Sequence, residues 1–255
     1  YRHPDSDASS GEALEMAIQE NDPETISAFI AEPIQGVGGF ATPPDGFFGE
    51  FQKVLANHGI LFISDEVQTG FGRTGTHWNG IDHAGVKPDV MTFAKGAGNG
   101  MPIGITCASE AIASSWKGPS ISTFGGNPLA SAAALATLDE LTEARLCARA
   151  SVLGERILDG LRTVLAGDNR VREIRGCGLM IGVEFDENTV WGQLNVLELK
   201  LLINLALGQH EEALERVEAF LQFNDNTVEG LRHKVHPAFS VHWQGPWQRT
   251  GEGSG

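Results

Sequence analysis

The sequence predicts an α/β fold in which short apolar strands alternate with helices and present polar residues at their carboxyl ends. Three observations lead there. Ile60-Leu61-Phe62-Ile63-Ser64 is a nearly continuous apolar run, the pattern of a strand buried on both faces of a parallel sheet. It follows a segment of helical spacing, Phe47 to His58, with Phe48, Phe51, Val54 and Leu55 on one side and Gly59 as its stop. Val90-Met91-Thr92-Phe93-Ala94 then repeats the strand pattern after a polar, glycine-rich loop.

The remaining elements fit the same alternation. Gly11 to Glu20 reads as a short helix broken by Asn21-Asp22-Pro23, and Thr25 to Ala31 as a strand ending at Glu32-Pro33. A Gly/Pro-rich loop covers Gln35 to Gly46, and Ile103 to Ala108 is a third strand beside the two apolar runs. Pro128 to Leu141 is an alanine-rich helix suited to close packing, and Arg145 to Leu165 a longer amphipathic one. Val171 to Phe185 reads as a strand, a bend at Gly176 and Gly178, and a second strand. Beyond Phe185 the character changes. Val196 to Leu207 and Glu211 to Phe223 form two helices, and Gly230 to Gly255 carries too little periodicity for a packed element, so a disordered tail is expected.

Composition narrows the class of protein. The 255 residues are 41% hydrophobic and 20% charged, ordinary for a globular protein, and the formal net charge of -15 argues against nucleic acid or an anionic membrane surface as partner. No apolar stretch reaches roughly eighteen residues, so no membrane span is expected. Three widely separated cysteines give no disulfide framework, and the eight histidines form no metal-ligand pattern; no metal is expected. A reducing compartment follows, the cytosol or, in a eukaryote, the mitochondrial matrix. The start, Tyr1-Arg2-His3-Pro4-Asp5, is read as the middle of a longer chain.

Asp65 and Lys95 each directly follow an apolar strand, which places both at one edge of one sheet, where open α/β sheets bind their ligands. Four motifs follow one another: Glu32-Pro33-Ile34-Gln35-Gly36, Asp65-Glu66-Val67-Gln68-Thr69-Gly70-Phe71-Gly72-Arg73-Thr74-Gly75, Lys95-Gly96, and Ser122-Thr123-Phe124-Gly125-Gly126-Asn127-Pro128. Together they resemble the class III, ornithine-aminotransferase-like enzymes of fold type I that use pyridoxal 5′-phosphate. The nearest likeness is to mitochondrial-type alanine–glyoxylate aminotransferases, and it runs from about Gly11 to Phe185.

The resemblance implies roles for particular residues. Lys95 is the lysine that holds the cofactor as a Schiff base and afterwards moves a proton as general base and acid. Asp65 is the carboxylate that keeps the pyridine nitrogen protonated, since an adjacent negative charge favours the charged form. Val67 packs on the ring, Gln68 hydrogen-bonds its phenolic oxygen, and Glu32 lies near the substrate amine. Ser122 and Thr123 resemble residues donated to the cofactor phosphate of a partner subunit, which implies a homodimer. Plainer roles stay open beside these: a strand-end aspartate at Asp65, a solvated surface lysine at Lys95, a carboxylate held by its neighbours at Glu32 and a simple turn at Thr123. For Arg73 only a structural role is read.

The resemblance therefore implies transamination between an amino donor and a 2-oxo acid. A racemase or aminomutase of the same fold uses the same aspartate and lysine. A non-catalytic truncated or chimeric domain acting as a binding module is the alternative of a different class, since the family's own phosphate turn and carboxylate-binding arginine have no counterpart here. Expected domains are 1–140, the cofactor-binding large-domain fragment; 141–186, a partial small α+β domain; 187–229, a helical hairpin; and 230–255, the tail. Residues 188–224 are similar to the helical C-terminal region of YcaO-type proteins. With the abrupt change near Asp186-Glu187, this reads as a segment of different origin in a chimeric or mis-assembled reading frame.

Overall fold

A computed structural model of the chain describes residues 10–185. The expected hairpin, tail and YcaO-like segment lie outside the described residues. None of the described helices is long and apolar enough to cross a membrane.

Helix α1 (Ser10–Glu20) leads through a 3-10 turn, Pro23–Thr25, into strand β1 (Ala28–Ala31). The strand is shorter than the apolar run because the Asp22 side chain accepts the Glu24 N–H at 3.3 Å and holds Pro23 to Thr25 in the turn. Helix α2 (Phe47–Asn57) then buries Phe47, Phe48, Phe51 and Leu55 on one face, and Gly59 at φ 66 reverses the chain into strand β2 (Leu61–Asp65). Their core is aromatic. Phe48 stacks on Phe62 at 5.7 Å and Phe47 on Phe51 at 4.1 Å, with Ile18, Ile60 and Ile81 closing around them. Truncating Phe48 to alanine would cost about 3–5 kcal/mol.

Strands β3 (Val90–Phe93) and β4 (Ile105–Ala108) complete a four-stranded sheet in the order β1-β2-β3-β4. β1, β2 and β3 are parallel, so Asp65, opposite Thr92, and Lys95, just beyond Phe93, do reach the same edge. Two details differ from the sequence reading. β2 is not buried on both faces: Phe62 and Ser64 are buried while Leu61, Ile63 and Asp65 are half-buried, because α2 covers one face only. The third strand, β4, runs antiparallel to β3, since the connection from Lys95 to Gly104 contains no crossover helix to carry the chain back.

A short helix α3 (Glu110–Ser115) precedes α4 (Pro128–Glu143), whose start is fixed by Asn127 accepting the Ala130 N–H at 2.9 Å and by Pro128 in the first turn. Helix α5 (Leu146–Val164) buries Ala150, Gly154, Ile157, Leu158 and Leu161 and leads to an antiparallel hairpin, β5 (Val171–Cys177) and β6 (Met180–Phe185). The hairpin turn packs without spare volume. A β-carbon on Gly154 would lie 2.0 Å from the Gly178 carbonyl oxygen, and one on Gly178 would lie 2.4 Å from the Thr74 carbonyl carbon. The Leu179 N–H donates to the Arg73 carbonyl at 2.9 Å. The hairpin is thereby fastened to the glycine-rich loop that follows β2.

Candidate active site

The Asp65-Glu66 pair divides at the end of β2 into two environments. Strand alternation continues the buried face through Phe62 and Ser64 to Glu66, which is 1% exposed. One Glu66 oxygen accepts the Ser64 hydroxyl at 3.1 Å and the Ile81 N–H at 2.9 Å. The other accepts the Thr69 hydroxyl at 2.5 Å and the Gly80 N–H at 2.8 Å. This carboxylate ties the end of β2 to the 3-10 helix Gly80–Ala84. Asp65 faces the opposite way. Its carboxylate accepts the Val67 N–H at 3.0 Å and lies 3.5 Å from the Thr92 hydroxyl.

Lys95 stands at φ 46, a left-handed conformation that costs a non-glycine residue about 1–2 kcal/mol. It opens a 3-10 turn, Lys95–Gly98, that packs against α4. Strain of this kind collects at functional positions. Beside Lys95 lies a cavity of about 710 Å³, within the range of small-molecule sites. Val67, Gln68, Phe40, Arg73 and Met180 share its lining with Lys95. Three expected site residues, Lys95, Val67 and Gln68, thus meet at one cavity. Asp65, joined to Val67 by the N–H it accepts, is not itself part of the lining.

The other expected residues fall in two places. Glu32 accepts the Gly36 N–H at 2.9 Å, which closes the Glu32–Gly36 turn. Gly36 in turn lies flat against Gln68, for a β-carbon there would sit 2.0 Å from the Gln68 amide nitrogen. Ser122 and Thr123 are exposed in the loop before α4, away from this cavity, and the Ser122 hydroxyl oxygen accepts the Gly125 N–H at 3.0 Å.

Sequence reasoning missed Glu66, whose signal was an acidic residue continuing the buried alternation of β2. It also missed the fastening of the loop by the hairpin. Gly72 (φ 73) and Gly75 (φ 101) leave no room for side chains against Cys147 and Ser151. Arg175 donates to the Gly39 carbonyl at 2.7 and 3.0 Å while Glu173 and Glu184 neutralise it. Under the loop, His83 hydrogen-bonds the Thr74 hydroxyl at 3.0 Å, and the Cys177 thiol donates to the Thr74 carbonyl at 3.2 Å. Burial, reinforced by His77, pushes the His83 pKa down, and burial pushes the Cys177 thiol up.

A mostly parallel sheet bearing a carboxylate and a strained lysine at neighbouring strand ends defines an α/β fold of the transaminase type. Solved structures bear this out. The chain is 42% identical to a thermostable (S)-enantioselective omega-transaminase from Thermomicrobium roseum, with a TM-score of 0.66 over 75% of this chain and 44% of that one. A transaminase from the marine bacterium Virgibacillus is 37% identical, with a TM-score of 0.67 over 80% of this chain and 47% of the other. Among curated proteins, the acetylornithine aminotransferase of Methanothermobacter thermautotrophicus is 44% identical over 187 residues, 73% of this chain and 48% of that protein. The chain spans about half the length of that relative. The aminotransferase class-III family matches residues 2–225, and the chain belongs to that family. Most of the segment expected to be of different origin, 187–225, falls inside that match.

Proposed function

We propose that the protein takes part in amino-group transfer between an amino donor and a 2-oxo acid, with pyridoxal 5′-phosphate bound covalently to Lys95. The observation that carries the reading is the strained Lys95 at a strand end, sharing a cavity of about 710 Å³ with Val67 and Gln68. The residues present fit the cofactor. The cavity has room for it, Lys95 stands at the rim, and the bare Gly36 leaves space for the Gln68 amide. Once bound, this cofactor supplies an electron sink for the pair released when a substrate Cα–H bond breaks.

The chain's own groups do the rest. Asp65, held by the Val67 N–H, keeps a proton on the ring nitrogen. Gln68 donates its amide to the phenolic oxygen, and Val67 supplies an apolar surface under the ring. Once freed, the Lys95 amine would take the proton from the substrate Cα and deliver it to the C4′ carbon of the cofactor, acting as base and then acid. Glu32 lies toward the amine end of the substrate. Ser122 and Thr123, exposed on their loop, reach the cofactor phosphate of a second copy, so the working form is a homodimer. L-Alanine, N-acetylornithine and glyoxylate are the first substrates to test, the outer two suggested by the alanine–glyoxylate likeness. Residues 1–140 hold the cofactor and 141–186 begin the smaller domain.

The test adds pyridoxal 5′-phosphate to the purified chain, reduces with borohydride and maps the labelled peptide. Label concentrated on Lys95 is expected. Label scattered over Lys53, Lys87 and Lys117 with none on Lys95 overturns the assignment.

A further inference from the structure

Arg175 belongs to the β5–β6 hairpin, yet its side chain ends on a loop 136 positions earlier in the chain. Its Nε–H and Nη2–H both donate to the Gly39 carbonyl, at 3.0 and 2.7 Å, so one oxygen takes two charge-assisted bonds. The Nη1 group pairs with Glu173 and Glu184, which neutralise a guanidinium only 10% exposed. Gly182 on β6 approaches the same carbonyl: a β-carbon there would lie 3.0 Å from the Gly39 oxygen. The Gly39 carbonyl therefore has a two-pronged donor and a close neighbour that must stay bare.

The loop so anchored forms part of the cavity wall. Gly39 (φ 87) and Phe40 (φ 55) are both left-handed, a state that a non-glycine residue keeps only where its surroundings impose it. Their N–H groups donate to the Gly36 carbonyl at 3.1 and 3.4 Å, and the Gln35 N–H donates to the Ala41 carbonyl at 3.0 Å. With the Gly36 N–H taken by Glu32 at 2.9 Å, the place of Gly36 depends on that of Gly39. Gly36 is the surface against which the Gln68 carboxamide lies, and Phe40 and Gln68 both line the cavity beside Lys95. Direct contacts thus lead from Arg175 through Gly39 and Gly36 to Gln68, although neither Arg175 nor Gly182 lines the cavity. We infer that Arg175 is a positioning residue: by holding the Gly39 carbonyl it seats Gly36 against the Gln68 amide and fixes where that amide meets the cofactor. This role rests on the transamination reading, which assigns Gln68 to the phenolic oxygen.

Arg175→Lys keeps a positive charge against Glu173 and Glu184 but cannot give one oxygen two fixed N–H groups. Gly182→Ala leaves Arg175 in place and presses on the same oxygen, which covers the case of a misfolded first variant. Pyridoxal 5′-phosphate affinity is read by absorbance titration of the full chain. Hydrogen exchange over residues 35–41 is followed without cofactor, and circular dichroism checks folding. Each variant is expected to quicken loop exchange and to weaken cofactor binding about 5-fold, a fraction of the effect of one charge-assisted bond. In a Gly36→Ala background, where the Gln68 amide is already displaced, Arg175→Lys is expected to add less than about 2-fold. A merely structural arginine gives the same factor in both backgrounds, and that result overturns the inference; so does unchanged affinity in both single variants. Borohydride labelling of Lys95 in the unaltered chain scores the cofactor reading separately. Label on Lys95 with equal factors in the two backgrounds removes Arg175's role alone. No label on Lys95 removes the cofactor reading and the role built on it, even where loop exchange quickens.

Discussion

Replacing Glu66 by glutamine changes one oxygen to an NH₂ group in a site that holds only donors. Each carboxylate oxygen faces one hydroxyl, from Ser64 or Thr69, and one backbone N–H, from Ile81 or Gly80. A hydroxyl can turn and accept; a backbone N–H cannot. Whichever way the amide is oriented, its NH₂ therefore opposes an N–H at a position 1% exposed, where water cannot intervene. Losing a charge-assisted bond costs about 1.5–3 kcal/mol, and leaving the N–H unpaired about 1–3 kcal/mol more, so E66Q should lose about 3–5 kcal/mol. For a body of this size that lowers Tm by about 10 °C. Thermal and urea unfolding followed by circular dichroism measure it. S64A and T69V, which each remove one hydroxyl donor and leave three bonds, should lose about 1.5–3 kcal/mol, less than E66Q because no N–H is left unpaired. An E66Q melt within about 2 °C of the parent would refute the donor-only account of the site.

Further outcomes follow from the packing and the titrations. Gly154→Ala, which in an exposed helix interior would stabilise by about 1 kcal/mol, should here destabilise by about 1–3 kcal/mol, because the new β-carbon would lie 2.0 Å from the Gly178 carbonyl oxygen; a raised urea midpoint would contradict this. Gly36→Ala should leave stability nearly unchanged, since only the end of the Gln68 side chain must move, while weakening pyridoxal 5′-phosphate binding about 10-fold in an absorbance titration. The folded His83 pKa lies below its usual 6.5, so the unfolded chain takes the proton first on acidification. Stability from this group is complete above about pH 6.5 and is lost as pH falls through the folded value. H83Q should flatten the urea midpoint against pH in that window; an unchanged slope would rule His83 out as its source.

Apolar runs at Leu61 to Ile63 and Val90 to Phe93, with helical spacing from Phe47 to Leu55, determined the strands, the helices and the shared edge of Asp65 and Lys95. Those patterns are local: each needs only the period of its own segment and the stop residue after it. The motifs at Asp65 to Gly75 and at Lys95-Gly96 likewise pointed to Val67, Gln68 and Lys95 through the family they resemble. Tertiary structure alone decided the direction of β4, the single buried face of β2 and the opposite fates of Asp65 and Glu66, because pairing direction and burial depend on elements distant in the chain. Gly36 against Gln68, Gly154 against Gly178 and Leu179 bonded to Arg73 bring together residues separated by 32, 24 and 106 positions. No local period encodes such meetings. They help decide the shape of the cavity at Lys95, whose lining draws on Gln68, Arg73 and Leu179 together.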